Sequence, residues 1–214
     1  MTEKDKQTEE TIFDSATEVF LEKGLDGARM QDIANHAGIN KALLHYYYRT
    51  KEHLFNAVFE KIAGKMFEKF APVFDRQLSL EEKISFFFRE HILFLQKNPR
   101  LPIFLLNEMN RNPERIRKFI RNLDIQKIWI TLETQHKKEL EQYNLTPENI
   151  PQFMTTMVSI SIFPFAAKTL ISAILEKVGM NFNDYLEERK SYAADFVIRA
   201  IRKDEKIQDE KIQD

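Results

Sequence analysis

The 214 residues suffice for one large or two small domains, and 43% hydrophobic with 30% charged residues, 5 Gly and 7 Pro exclude an all-β or disordered chain in favour of a helical globular one. With no Cys, disulfide frameworks, thiolate metal sites and cysteine nucleophiles are excluded, and a reducing compartment is suited. A formal net charge of −1 gives no global basic field, so any nucleic-acid partner must be met by a local patch.

Apolar residues recur at helical spacing along nearly the whole chain. Ile12, Ala16, Val19 and Phe20 share one face of a helix over about 8–23, closed by Gly24. A short helix follows over 30–37, with Ile33, Ala34 and Ala37 inward, and Gly38 supplies the left-handed turn residue. Asn40 is a good N-cap for a third short helix over 41–48. A fourth runs from Lys51 through Leu54, Phe55, Val58, Phe59, Ile62 and Met66 to a stop at Pro72.

Longer helices occupy the remainder. Ser79-Leu80-Glu81-Glu82 is a capping box opening a helix that ends near Asn98-Pro99. Pro113 to Tyr143 reads as one long helix or a kinked pair, Pro151 to Lys177 as a single very apolar helix, and Phe182 to Arg202 as a final amphipathic one. The apolar stretch Met157–Leu175 contains Pro164 and Lys168 and is expected to be a buried helix with no membrane association. Two units are expected, 1–50 and 51–203, sharing the fourth helix, followed by a charged tail over 204–214 that repeats DEKIQ. The polar first ten residues lack a signal-peptide h-region, so the expected compartment is the cytoplasm.

The stretch Arg29–Phe55 has helix-turn-helix architecture: two short helices about a Gly-containing turn, the second presented to solvent. Ala34 is small where the helices approach, and Ile39 and Leu44 fill the angle between them. Charge agrees locally. From Arg29 to Lys51 the cations Arg29, Lys41, Arg49 and Lys51 stand against one acid, Asp32, whereas residues 1–28 hold three Lys against eight acids. Asn40, Lys41 and His45 are suited to base edges or phosphates, and Tyr46 and Tyr47 to phosphates.

These residues resemble the TetR (tetracycline-repressor-like) family of bacterial regulators. The resemblance is carried by Ala16, Phe20 and Gly24, Ile33-Ala34, Ala37-Gly38-Ile39, and Leu44 to Tyr48 followed by Thr50-Lys51-Glu52. It implies an all-α fold, with a three-helix DNA-binding domain followed by a helical domain for effector binding and dimerisation. It further implies a homodimer whose third helices enter successive major grooves of a palindromic operator, about 34–36 Å apart. On this pattern the DNA-contacting positions are Arg29, Met30, Asn40, Lys41, Ala42, Leu43, His45, Tyr46, Tyr47 and Lys51. Arg29 departs from the Ser or Thr that often caps the second helix. Leu43 brings an apolar group suited to a thymine methyl. The implied action is repression, relieved when a small molecule shifts the fourth helix. The implied dimer forms through the last two long helices, where Ser159, Ala166, Ala167, Ser172 and Ala173 permit close approach.

Ordinary core accounts for most of the eighteen Phe, ten of them between Phe55 and Phe104; it is the resemblance that implies an effector pocket, for an apolar or aromatic molecule, with Phe59, Phe88, His91, Phe104, Asn107, Glu108 and Trp129 as the expected pocket residues. Arg111, Arg115, Arg117, Lys118 and Arg121 are expected to form a solvated helix face. The five His lack metal-ligand spacing, and no nucleophile elbow, Walker A or Gly-x-Gly-x-x-Gly motif occurs, so no metal, cofactor or enzymatic activity is expected. The rival reading is a sensor of small apolar molecules without sequence-specific DNA binding.

Overall fold

A computed structural model describes residues 3–68, 78–122 and 125–202, in which all regular structure is α-helical. The helices are α1 (Glu3–Gly27), α2 (Met30–His36), α3 (Lys41–Tyr47), α4 (Lys51–Glu68), α5 (Leu80–Lys97) and α6 (Leu101–Arg111). They continue with α7 (Pro113–Asn122), α8 (Ile125–Gln142), α9 (Ile150–Ala166), α10 (Lys168–Glu176) and α11 (Phe182–Ile201). Two compact units emerge, Met1–Glu68 with Arg100–Phe119, and Lys69–Pro99 with Ile120–Asp214. The division is therefore not a single cut near residue 50, because α6 and most of α7 pack with the N-terminal helices. The tail over 204–214 lies outside the described residues.

In unit 1, α1 buries Ile12, Ala16, Val19 and Phe20 as the periodicity predicts. Gly24 breaks its helical geometry with φ +67°, where a side chain would be strained, and the helix resumes to Gly27. The buried stripe Leu54, Phe55 and Val58 of α4 faces this core. Phe20 and Phe55 meet edge-to-face at 4.9 Å, and Phe104 of α6 adds a third ring 5.6 Å from Phe55. Arg115 of α7 sits over the Phe55 ring at 4.6 Å, forms a buried ion pair with Glu108, and donates to Asn56 Oδ1 at 2.9 Å. The basic run is thus no uniform solvated face: Arg115 is largely buried, Arg111 reaches Asp26 at 2.9 Å, and Arg117 pairs with Glu114.

Unit 2 is organised around α5, whose Leu80, Ile84 and Phe88 join Leu140, Met157, Ala193, Ala194 and Val197 in one core. Ala193 and Ala194 keep α11 close to α5, and Ile92, Leu95, Phe165 and Leu186 extend the contact. The capping box forms as predicted: Ser79 Oγ accepts from the Glu82 amide, and Glu82 accepts from the Ser79 amide at 2.7 Å.

The expected single helix over 151–177 is instead two, α9 and α10, bent by 73° about Ala167. No single helix among the described residues is long and apolar enough to cross a membrane. Pro164 lies within α9, three residues before the bend. It has no amide hydrogen, so the carbonyl four residues earlier, on Ile160, loses its helical donor. Arg189 of α11 supplies the replacement, donating to that carbonyl from Nε at 3.3 Å and Nη2 at 3.1 Å. Arg189→Met is expected to lower the unfolding free energy by about 1 kcal/mol, the net worth of a hydrogen bond to a half-buried acceptor. In a Pro164→Ala background the loss should shrink, because residue 164 then carries an amide hydrogen for Ile160. Urea denaturation of the four proteins in the cycle measures this coupling, and equal losses in both backgrounds would contradict the account.

Candidate nucleic-acid interface and effector cavity

The segment Met30–Tyr47 owes its shape to local backbone chemistry. Ile33, Ala34 and Leu44 are buried, and Gly38 turns the chain with φ +66°. The Ile39 amide returns to the Ala34 carbonyl at 3.0 Å, closing the turn. Asn40 Oδ1 accepts from the Leu43 amide at 2.8 Å, so this side chain is an N-cap and only its Nδ2 faces other chemistry. Arg29 precedes α2 without making a side-chain cap bond, which leaves its guanidinium exposed.

The outer face of α3 presents Lys41, Ala42, Leu43, His45 and Tyr46, all exposed, with Tyr46 at 80%. His45 Nδ1 lies 3.2 Å from the Arg49 carbonyl, which holds the ring at the end of the helix. Tyr46 and Tyr47 meet edge-to-face at 5.4 Å. Tyr47 is half-buried and donates to Asp5 Oδ1 at 3.4 Å. Desolvation, then the Asp5 charge, raises its phenol above the usual range. Tyr48 is buried and donates to Glu9, and burial pushes its hydroxyl up to about 12. Met30 is half-buried at the start of α2.

Lys51 is placed differently from the outward phosphate grip that the resemblance implies. Its Nζ donates to the carbonyls of Ala28 at 2.9 Å and Asp26 at 3.4 Å, tying α4 to the end of α1. Two residues omitted from the expected contacts share this exposed face. Arg49 is exposed, and Thr50 Oγ1 caps α4 by accepting from the His53 amide at 3.1 Å. Thr50 was legible as a Ser/Thr before a helix start. Asp32 of α2 is held by Lys23 at 2.8 Å, which keeps its carboxyl below the usual range.

The expected pocket residues do not converge. Phe59, Phe104, Asn107 and Glu108 belong to unit 1, where Phe59 and Phe104 are core, Asn107 is exposed and Glu108 is bound to Arg115. In unit 2, Phe88 is core and His91 is buried with Nδ1 2.7 Å from Ser161 Oγ. Of the seven, only Trp129 lines the apolar cavity between α5, α8 and α9 of unit 2. That cavity, of about 150 Å³, is bounded by Ile84 and Phe87 of α5, Leu132 of α8, and Phe153 and Met157 of α9. The Phe-rich run pointed to the right helix, α5, but the lining is completed by Met, Ile and Leu from distant elements.

Two short helices about a glycine turn, the second exposed on a buried three-helix base, define the helix-turn-helix class of DNA-binding fold. Residues 12–58 match the family model described as "Bacterial regulatory proteins, tetR family". The chain is 27% identical over 174 residues to "Probable HTH-type transcriptional regulator YttP" of Bacillus subtilis, covering 78% of this chain and 82% of that one. It is 27% identical over 135 residues to the "Biofilm operon icaADBC HTH-type negative transcriptional regulator IcaR" of Staphylococcus epidermidis, covering 63% and 69%. Its fold resembles the crystal structure of the regulator FadR from Bacillus subtilis in complex with stearoyl-CoA. There the TM-score is 0.59 at 14% identity, over 85% of this chain and 95% of that one. Residues 12–58 thus carry the DNA-binding domain of the tetR family, and the relatives that the chain matches over a longer stretch are described as transcriptional regulators.

His91 illustrates how unit 2 responds to acid. Burial pushes its ring down to about 4, below the ordinary histidine value of about 6.5. Protonation therefore favours the unfolded chain. The neutral ring's stabilisation is complete above pH 6.5 and is lost as pH falls from there toward 4. Urea midpoints measured at pH 7, 6 and 5 should fall with pH, and His91→Gln should flatten that slope; an unchanged slope would refute the assignment.

Proposed function

We propose that the protein is a homodimeric repressor that holds a two-fold-symmetric operator through α3 and releases it when a small apolar molecule occupies unit 2. The carrying observation is the exposed face of α3, donor-rich and fixed on a buried base, within the segment that matches the tetR-family model. Lys41, Ala42, Leu43, His45 and Tyr46 reach the bases or nearby phosphates, with Arg29, Met30, Asn40, Tyr47 and Lys51 at the margins. For Tyr47 and Lys51 the present hydrogen bonds to Asp5 and to the α1 carbonyls make the role one of holding the helices in register.

Dimerisation through α10 and α11 is supported by large apolar side chains left exposed there, Leu170, Ile174, Tyr192 and Phe196, beside Phe163 at the end of α9. Repression is supported by the relative IcaR, described as a negative regulator. An apolar effector is supported by the cavity and by the neighbour FadR, whose structure contains stearoyl-CoA. The chain crosses between the units after residues 68, 99 and 119, and effector binding is transmitted by a shift of α4, the helix that ends at the first of these crossings. Effector and operator then weaken each other equally, as linkage requires.

The test is selection of bound sequences from a random DNA pool at roughly physiological salt. The expected product is a palindrome with half-sites about 34–36 Å apart, one turn of the duplex. Failure to enrich any sequence, with or without small-molecule extract, would favour the sensor reading. On the selected site, Lys41→Ala should weaken binding and either reduce the salt slope by about one or relax a single base position. Tyr46→Phe should cost about 1 kcal/mol without altering the melting temperature. Fluorescence anisotropy across a salt series measures both, and unchanged affinity in either variant removes that residue from the interface.

A further inference from the structure

We propose that the apolar cavity of unit 2 takes a hydrocarbon group of about one ring, bare of polar atoms, and turns away an alcohol or acid carried on that ring. This rests on the reading of unit 2 as the effector-binding part of the chain, and names the chemical class that the cavity accepts. Ile84, Phe87, Leu132 and Met157 wall it with aliphatic, aromatic and thioether groups. Lys83 and Trp129 also line it and carry N–H groups, yet the wall presents almost no polar surface, so both contribute carbon to it. A polar atom brought inside gives up its water partners and finds none to replace them. Water is poorly held there for the same reason, because a buried water needs about two to four polar partners.

Selectivity follows from how unequal that penalty is. Exchanging a methyl for a hydroxyl on a buried ring changes its bulk little but strands a donor and an acceptor. A carboxylate loses more, since an ionised group leaves a stronger hydration shell behind. The polar groups of the surrounding helices are engaged elsewhere. The Glu82 carboxylate accepts from the Ser79 amide at 2.7 Å, and His91 Nδ1 lies 2.7 Å from Ser161 Oγ; none of these residues lines the cavity. Size limits the hydrocarbon. The volume of about 150 Å³ matches that of an apolar cavity known to admit benzene, so one ring or a chain of similar bulk fits. Met154 and Val158 are 42% and 40% exposed, against 2% for Ile84, which puts the mouth of the cavity on α9.

Trp129 is the sole tryptophan of the chain, so its fluorescence reports occupancy of this cavity directly. The experiment titrates the chain with methylcyclohexane, cyclohexanol and cyclohexanecarboxylate, saturated rings that leave the tryptophan signal clear and differ in one substituent. Methylcyclohexane is expected to bind about tenfold or more tighter than cyclohexanol, with the carboxylate weakest. Leu132→Gln and Met157→Gln each keep roughly the bulk of the residue replaced and give the wall a donor and an acceptor. In at least one of them the two neutral rings should come within about twofold of each other, with the melting temperature showing that the variant is folded. Equal affinities for methylcyclohexane and cyclohexanol in the unaltered protein, tightest binding of the carboxylate, no response to any ring, or the same preference kept by both folded variants would each overturn the proposal. A fourth ligand, 4-cyclohexylbutyrate, has a chain that lets its carboxylate stay outside the mouth. Binding as tight as that of methylcyclohexane identifies the hydrocarbon as the end of an amphiphile, and weaker binding as a free molecule; the selection stands in either case. Operator release is read separately, by anisotropy in the same mixtures. Hydrocarbon binding that leaves the DNA complex intact overturns effector control while upholding the selection, and release without hydrocarbon preference does the reverse.

Discussion

Phe55 is the side chain on which the DNA-binding half of this molecule depends. Fully buried on α4, it receives Phe20 from α1, Phe104 from α6 and the Arg115 guanidinium from α7, so four helices are fixed by one ring. The dependence is physical. α2 and α3 have seven residues each, well short of the roughly 12–15 at which an isolated helix becomes marginal in water. Their orientation is borrowed from the α1–α4 base through Ile33, Ala34, Leu44 and Tyr48. A helix as short as α3 can carry an exposed, donor-rich surface only because almost none of its own residues are needed to hold it in place.

The parts of this arrangement that were legible in the sequence are those governed by short-range rules. Gly24 and Gly38 adopt the positive φ that their positions announced, and Asn40 and Ser79 make the cap bonds that their spacing predicted. The buried stripe of α1 followed from apolar periodicity alone. Lys51 and Tyr47 were legible as residue types but not as roles. A lysine suited to phosphate is equally suited to two backbone carbonyls, and only the proximity of the end of α1 decides between them.

The interior of unit 2 and the placement of α6 were not legible, for a different reason. Phe59, Phe88 and Phe104 look alike as apolar residues at helical spacing, yet two of them stabilise unit 1 and one stabilises unit 2. Periodicity reports which face of a helix is buried, not which neighbour buries it. Glu108 and Arg115 likewise read as surface charges, because nothing in a single sequence shows that the two meet and satisfy each other out of solvent. The cavity draws on residues from Leu80 to Val158, a separation over which local pattern carries no information.

The meeting of Pro164, Ile160 and Arg189 bears on how such a sequence changes over generations. With proline at 164 and no arginine at 189 the Ile160 carbonyl loses both donors, whereas with an amide-bearing residue at 164 it has one without the arginine. The two side chains are therefore a coupled pair, and the substitutions that either position tolerates depend on what stands at the other.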